Sequence, residues 1–347
     1  MKKKITIGDI AKALGVSKTT VSFVLNGKAR DIQISRELET RVHDYIQKVG
    51  YVPNQYAQGL RNGRTRTIGM LVEDISDSFF AAIARQVEEK AYEKGYQIVY
   101  SSTENDSYKT KELLKVYRNS RVDGYIIAPP PMVEAELQAL IKDGFPVVLF
   151  DRTLPGIETD SVIVDNFESA YSAMEHLIGN GFKRIAFITL SSDQVQMLER
   201  ERGYLQAMSS IGSPYTIKRI KYQDDKDHSV QEIMQFLKTH RYVDAVFFAT
   251  NYIAENGLEA INKLQLRIPS DVAVMVFDDN NMFRLFSPSI SAIAQPIQQI
   301  ATQAIDIVLD RLINKEGAIG KMYKHIKLNN EMIIRCSSQK VNLNGSP

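Results

Sequence analysis

From Thr67 onward the chain alternates short apolar runs with segments of helical period, and few architectures accept that order. The runs TIGMLV, YQIVYS, GYIIAP and PVVLF are separated by helical stretches over 79–94, 109–120 and 133–142. A second series starts near Ser161 with SVIVD and continues through RIAFIT, TIKRIK, AVFFA and VAVMVF, again with helices between. Apolar strands joined by helices make parallel, doubly wound sheets covered on both faces, so two α/β lobes are expected. Open parallel sheets take ligands beyond the carboxyl ends of their strands. The residues there are polar: Glu73, Asp74, Ser76 and Asp77 with Phe79 and Phe80, then Asp151 and Arg152, Thr250 and Asn251, Asp278 and Asp279, while Arg200 stands on the helix after RIAFIT. Carboxylates, an amide and a guanidinium beside aromatic walls suit a polyhydroxyl ligand, because each can hold vicinal hydroxyls in pairs.

The first 66 residues differ in charge. They hold 13 Lys and Arg against 5 Asp and Glu, whereas the remaining 281 hold 30 against 36. A basic end joined to an acidic body implies that the end meets a polyanion. Thr6 with Asp9 resembles a capping box, and Ile7, Ile10, Ala11 and Leu14 recur at helical spacing up to Gly15. Ser17 caps a second helix striped by Val21, Val24 and Leu25 and ended by Asn26-Gly27; Ser35 caps a third carrying Leu38, Val42, Ile46 and Val49. Two short helices across a Gly-containing turn form a helix-turn-helix, whose second helix enters the major groove by its N-terminal part. Lys18, Thr19, Ser22 and Phe23 are the residues expected to face outward there. A three-helix bundle that binds nothing would explain the apolar stripes but not the basic balance.

Between reader and lobes, residues 52–63 form a distinct segment. Pro53 leaves Asn54 to cap a short helix over 55–61, which Gly63 ends. Two turns with Gly59 among them fall below the roughly 12–15 residues at which isolated helices become marginal, so this helix needs a partner.

ITIGDIAKALGVSKTTVSFVLNGK (Ile5 to Lys28) and GYVPNQYAQGLRNGRTRTIGMLV (Gly50 to Val72) closely resemble the lac repressor (LacI/GalR) family of bacterial transcription regulators, and the resemblance continues over nearly the whole chain. It implies a three-helix DNA-binding domain over 1–51, a hinge helix and linker over 52–66, a periplasmic-binding-protein-like effector and dimerisation domain over 67–340, and a tail over 341–347. Lobe 1 is then about 67–160 plus 295–320 and lobe 2 about 161–294 plus 321–340, with the chain crossing between them three times. In that family two hinge helices pair in the minor groove and a leucine wedges into the central base step; Leu60 stands at that position and Ala57 at the preceding small one. The implied DNA contacts are Thr6, Ser17, Lys18, Thr19, Ser22, Phe23, Asn26, Asn54, Tyr56, Ala57 and Leu60. The implied effector contacts are Asp74, Phe79, Phe80, Asp151, Arg200, Asn251 and Asp278, of which Arg200 in RERGYLQAM matches best. Taken singly, the Asp and Asn residues after strands read as helix caps, and at least two of Glu73, Asp74 and Asp77 read as solvated loop.

Three residues depart from the family pattern: Phe23 stands where Arg is common, Tyr252 where Asp usually follows the Asn, and Val276 at a usual Gly. No leucine heptad follows the last helix, so a homodimer is expected, acting on operator DNA under a sugar-like effector.

Rival functions find little in the chain. There is no apolar run of 18 residues and no secretory h-region, so a cytoplasmic protein is expected, and an exported sugar-binding protein is disfavoured by this and by the N-terminal reader. GxxxxGK[ST], GxGxxG and GxSxG motifs are missing, the five His are scattered, and one Cys excludes an internal disulfide. Neither catalysis nor a cofactor or metal is expected.

Overall fold

The structure, a computed structural model, describes residues 5–51, 64–222, 226–314 and 322–340. The chain divides into two units, 1–65 and 66–347. The first contains α1 (Ile7–Leu14), α2 (Lys18–Leu25) and α3 (Arg36–Val49). Thr6 and Asp9 do form a reciprocal capping box: the Asp9 carboxylate accepts from the Thr6 backbone at 2.9 Å, and the Thr6 hydroxyl accepts from the Asp9 backbone at 3.3 Å. Gly15 and Gly50 end their helices in the left-handed region. Ile10, Ala11, Val21, Val24, Ala29 and Val42 close a core of their own. The 52–63 segment, with the expected contacts Asn54, Tyr56, Ala57 and Leu60, lies outside the described residues, as does the 341–347 tail.

In the second unit the elements follow as β1 (Thr67–Val72), α4 (Ser78–Glu93), β2 (Gln97–Ser102), α5 (Ser107–Asn119), β3 (Gly124–Ile127), α6 (Glu134–Lys142), β4 (Val147–Phe150) and β5 (Asp160–Val164). Then come α7 (Asn166–Gly179), β6 (Ile185–Leu190), α8 (Val195–Ser210), β7 (Thr216–Ile220), α9 (Lys226–Thr239), β8 (Ala245–Phe248), α10 (Asn251–Lys263) and β9 (Ala273–Phe277). The last are α11 (Asn281–Leu285), β10 (Ser291–Ala294), α12 (Ile297–Ile313), β11 (His325–Leu328) and β12 (Glu331–Ile333). They build two six-stranded sheets, β2-β1-β3-β4-β5-β11 and β7-β6-β8-β9-β10-β12, parallel except for β12. The two orders correspond position for position, so β4 and β9 are counterparts.

β1 illustrates how the sheet is buried on both sides. Ile68, Met70 and Val72 pack with α4 and α12, while Leu71 joins a second core with α5 and α6. Gly69 faces that second side, where a Cβ would come within 2.3 Å of the Tyr117 ring.

The lobe boundaries drawn from sequence need correction at two strands. SVIVD, which was expected to open lobe 2, is β5 and pairs with β4 in the first sheet. Parallel neighbours usually require a helical crossover, but residues 151–159 connect these two without one, covering the second core with Leu154 and Ile157. The missing helix imitates a domain break. β11, expected in lobe 2, pairs with β5. Asp160 holds it there, accepting from Lys324 N at 2.8 Å and twice from the Arg311 guanidinium of α12. Only β12 joins the second sheet. The chain therefore crosses between lobes after β5, after β10 and after β11.

Candidate functional site

The exposed end of α2 carries Ser17, Lys18 and Thr19. Ser17 is the N-cap and accepts from Thr20 N at 3.0 Å, which sets the start of the helix. Ser22 is not outward-facing as expected: it is 7% exposed, because the Asn26 side chain folds back over the last turn and meets its hydroxyl at 3.3 Å. Phe23 is half-buried. Thr6 is committed to its capping box and Asn26 to the end of α2.

In the second unit, the carboxyl ends of both sheets meet across a cleft. Asp151 follows β4 and Asp278 follows its counterpart β9, each directly after a Phe, and both adopt left-handed backbone, φ 66° and 75°. Such conformations cost on the order of 1–3 kcal/mol away from Gly and persist where the surroundings impose them. Here the φ values turn both carboxylates back toward the space between the lobes.

Arg200, 1% exposed, donates through Nε to Asn166 at 2.9 Å and through a terminal nitrogen to Ala249 O at 2.7 Å and Asp278 at 3.3 Å. Its guanidinium lies 3.6 Å from the centre of the Phe277 ring. Gln295, at the second crossing, donates to the other oxygen of Asp278 at 2.6 Å. Gly203, one turn along α8, lets this helix approach α7; a Cβ there would be 2.7 Å from Phe167 O.

Asn251, in the first turn of α10, is no cap, since Thr250 performs that role. It reaches across the cleft instead, donating to Asp77 at 2.9 Å. Asp77 is the cap of α4 and accepts from Phe79 N at 2.9 Å. Asp74 accepts from the backbone and hydroxyl of Ser76, both at 2.8 Å.

Sequence reading missed the centre of the arrangement. Glu73, read with its neighbours as an acidic loop in which at least two members are solvated, is 5% exposed and accepts from Arg152 at 2.8 Å. Arg152, itself 3% exposed, also donates to Pro129 O at 2.9 Å, Asn105 at 2.6 Å and Asp151 at 3.2 Å. Two further donors span the lobes, Gln194 to Asn105 at 3.0 Å and Gln196 to Asp151 at 3.5 Å. The one signal for Arg152 was its place beside Asp151; nothing in the sequence pairs it with Glu73.

These groups partition the cleft. An inner chamber of about 30 Å³, bounded by Asp77, Phe79, Phe80, Asp151, Gln196, Arg200 and Asp278, shares Glu73, Asn251 and Tyr252 with an outer pocket of about 570 Å³, and a further pocket of about 670 Å³ lies beside Arg152 and Gln194. Asp74, Tyr222, Lys226 and Glu255 line the outer part, and the Tyr222 and Tyr252 rings meet edge to face at 6.2 Å. The outer volume is that of a small-ligand site. Burial pushes the carboxyls of Asp77 and Asp151 up to about 6, with repulsion from Asp278 adding to both. Among the described residues no His, Cys, Asp or Glu group is placed to hold a metal ion.

Two family models match the chain: bacterial regulatory proteins, lacI family, over residues 6–54, and a periplasmic binding protein-like domain over 174–338. The HTH-type transcriptional repressor PurR of Aliivibrio fischeri is 32% identical over 316 residues, covering 90% of this chain and 93% of that protein. The chain belongs to the lacI family of bacterial regulatory proteins.

Another relative of this lacI-family protein is PurR of Haemophilus influenzae, 30% identical over 97% of the chain and 99% of that protein. Among solved structures, the complex of the transcriptional regulator CelR with cellobiose shares 26% identity at a TM-score of 0.68, covering 96% of this chain and 99% of that one. The lac repressor dimer bound to operator and the anti-inducer ONPF shares the fold at a TM-score of 0.82 and 21% identity, covering 97% and 100%. The chain is thus a DNA-binding transcriptional repressor with an N-terminal reader and a two-lobed sensor. Among the described residues no helix is long and apolar enough to cross a membrane.

Proposed function

We propose that this repressor works in the cytoplasm as a homodimer on a palindromic operator, and that a small polar effector of the sugar class, bound between the lobes, sets its operator affinity. The observation that carries the effector assignment is the convergence of Asp151, Arg200, Asn251 and Asp278 from both lobes on one cleft, walled by Phe79, Phe80, Tyr222 and Tyr252. Asp74 lines its mouth. The likeness to a regulator solved with cellobiose supports a sugar-class ligand. Lys18 and Thr19 are the side chains best placed for base or phosphate contact, with Thr6, Ser17, Phe23 and Asn26 around them. In the proposal Asn54, Tyr56, Ala57 and Leu60 supply the minor-groove element, with Leu60 as the wedge.

Dimerisation follows from scale. The eight residues of α2 reach only a few base edges, half of a typical operator. A ligand that touches both lobes shifts the repressor only by its differential affinity for the two lobe arrangements.

Genomic fragments retained by the full chain supply the operator, and that duplex is then titrated with and without a polar metabolite extract. A change in affinity of about 5- to 150-fold is expected, the range of ordinary allosteric coupling. Identical titrations would overturn control by a small molecule.

A further inference from the structure

The cleft has more carboxylates than cations to match them. Arg152 is committed to Glu73, and Arg200 to Asp278, Asn166 and a backbone carbonyl. Asp77 and Asp151 are left as the surplus around the inner chamber. Asp77 is held by neutral donors, the Asn251 amide and the backbone N–H groups of Phe79 and Phe80, and Asp151 shares one guanidinium nitrogen of Arg152, at 3.2 Å, with Glu73. Four buried carboxylates, Glu73, Asp77, Asp151 and Asp278, thus face two guanidinium groups, and an excess of buried negative charge is costly.

An independent observation points the same way. Gln196, 3% exposed, lines this chamber, and its Oε1 is buried without a hydrogen-bond partner. Its orientation is set by Nε2, which faces Gln194 Oε1 at 3.3 Å and Asp151 Oδ2 at 3.5 Å, so the atom left over is an acceptor. The chamber is therefore lined by Asp77 and Asp151 and by Gln196, a buried side chain with one acceptor still unpartnered. Its volume of about 30 Å³ admits one group the size of a water molecule.

We propose that this group is a protonated amine: the effector is an amino sugar or similar amino-polyol, whose ammonium enters the inner chamber between Asp77, Asp151 and Gln196 Oε1 while its hydroxyls lie in the outer pocket. An ammonium brings a positive charge and three donors with no acceptor, which suits a chamber whose carboxylates outnumber its guanidinium groups. Phe79 and Phe80 complete its lining with apolar surface. A carboxylate ligand would bring a further negative charge, and a neutral hydroxyl would leave the excess negative charge unbalanced.

The inference rests on the sugar-class reading of the cleft and sharpens it. The test uses the full-length protein in calorimetric titrations with D-glucosamine, D-galactosamine and D-mannosamine, each beside its neutral parent sugar and its aldonate. At least one amine is expected to bind about tenfold or more tightly than its neutral parent, with the aldonates weakest. Asp77→Asn, which keeps an oxygen to cap α4, and Asp151→Asn should each remove that preference. Equal or tighter binding of a neutral sugar or an aldonate would overturn the amine while leaving the sugar-class cleft standing. Binding of none of the compounds would overturn the amine as well, and the metabolite-extract titration of the operator then decides separately whether the cleft responds to small molecules at all.

Discussion

Asp151→Asn isolates the energetic cost of the acidic chamber. The wild-type carboxyl is held near 6 by burial, against 3.8 in the unfolded chain. Arg152 and Arg200 draw it downward, while Glu73 and Asp278 reinforce the rise. A carboxyl raised on folding contributes stability that is present in acid and lost as pH climbs through the folded-state value. For these two values the wild type should lose about 2 kcal/mol between roughly pH 4.5 and 7.5 from this group alone. The amide does not titrate, so it suffers no such loss. Asn tolerates the left-handed φ at 151, and Arg152 keeps Glu73, Asn105 and Pro129 O. Urea unfolding of both proteins across this range, with unchanged slope, reads the difference directly. The variant should gain on the wild type by about 2 kcal/mol as pH rises. A difference that stays constant with pH, or moves the other way, would refute the burial argument.

Three further outcomes can be checked with little more than purified variants. Gly203→Ala should cost about 1–3 kcal/mol in urea unfolding, because its Cβ would press on the Phe167 carbonyl and on Ala170; a loss below about 0.5 kcal/mol would mean that α7 and α8 part freely. Arg200→Lys keeps a positive charge but cannot serve Asn166, Ala249 O and Asp278 together while lying flat on Phe277. Its response to the metabolite extract should fall sharply with operator affinity within about twofold of wild type, and an intact response would remove Arg200 from the control of the cleft. Lys18→Ala should weaken specific and random DNA alike and reduce the slope of log K against log salt by about 0.9; an unchanged slope would show that Lys18 meets no phosphate.

The parts of the molecule that were legible in the sequence are those fixed by near neighbours. Thr6 and Asp9 lie three apart and cap one another, Gly15 and Gly50 end helices, and the apolar runs of both lobes form strands. Asp151 and Asp278 stood out because each follows an apolar run that ends in Phe, which topology turns into equivalent places in two sheets. What escaped depends on distance. Glu73 and Arg152 are 79 positions apart and looked like separate loop charges until the sheet brought their strand ends together. β5 and β11 could join either sheet on pattern alone; Asp160, Arg311 and Lys324 decide it. Ser22 had the right spacing for an exposed face, but a side chain four residues later covers it. Tyr252, visible in the sequence as a departure from the family pattern, puts an aromatic wall at the mouth of the inner chamber where a carboxylate is usual.

Sequence-selective operator binding by the full-length protein is the most direct measure of a specific repressor. A duplex recovered from genomic selection and a scrambled duplex of the same length and composition are titrated by fluorescence anisotropy at physiological salt. A preference of roughly a thousandfold or more for the selected duplex is expected, with a two-fold symmetric footprint. Equal affinity for the two duplexes, differing only as their charge differs, would contradict a specific repressor and leave the basic N-terminal unit as a general binder of polyanions.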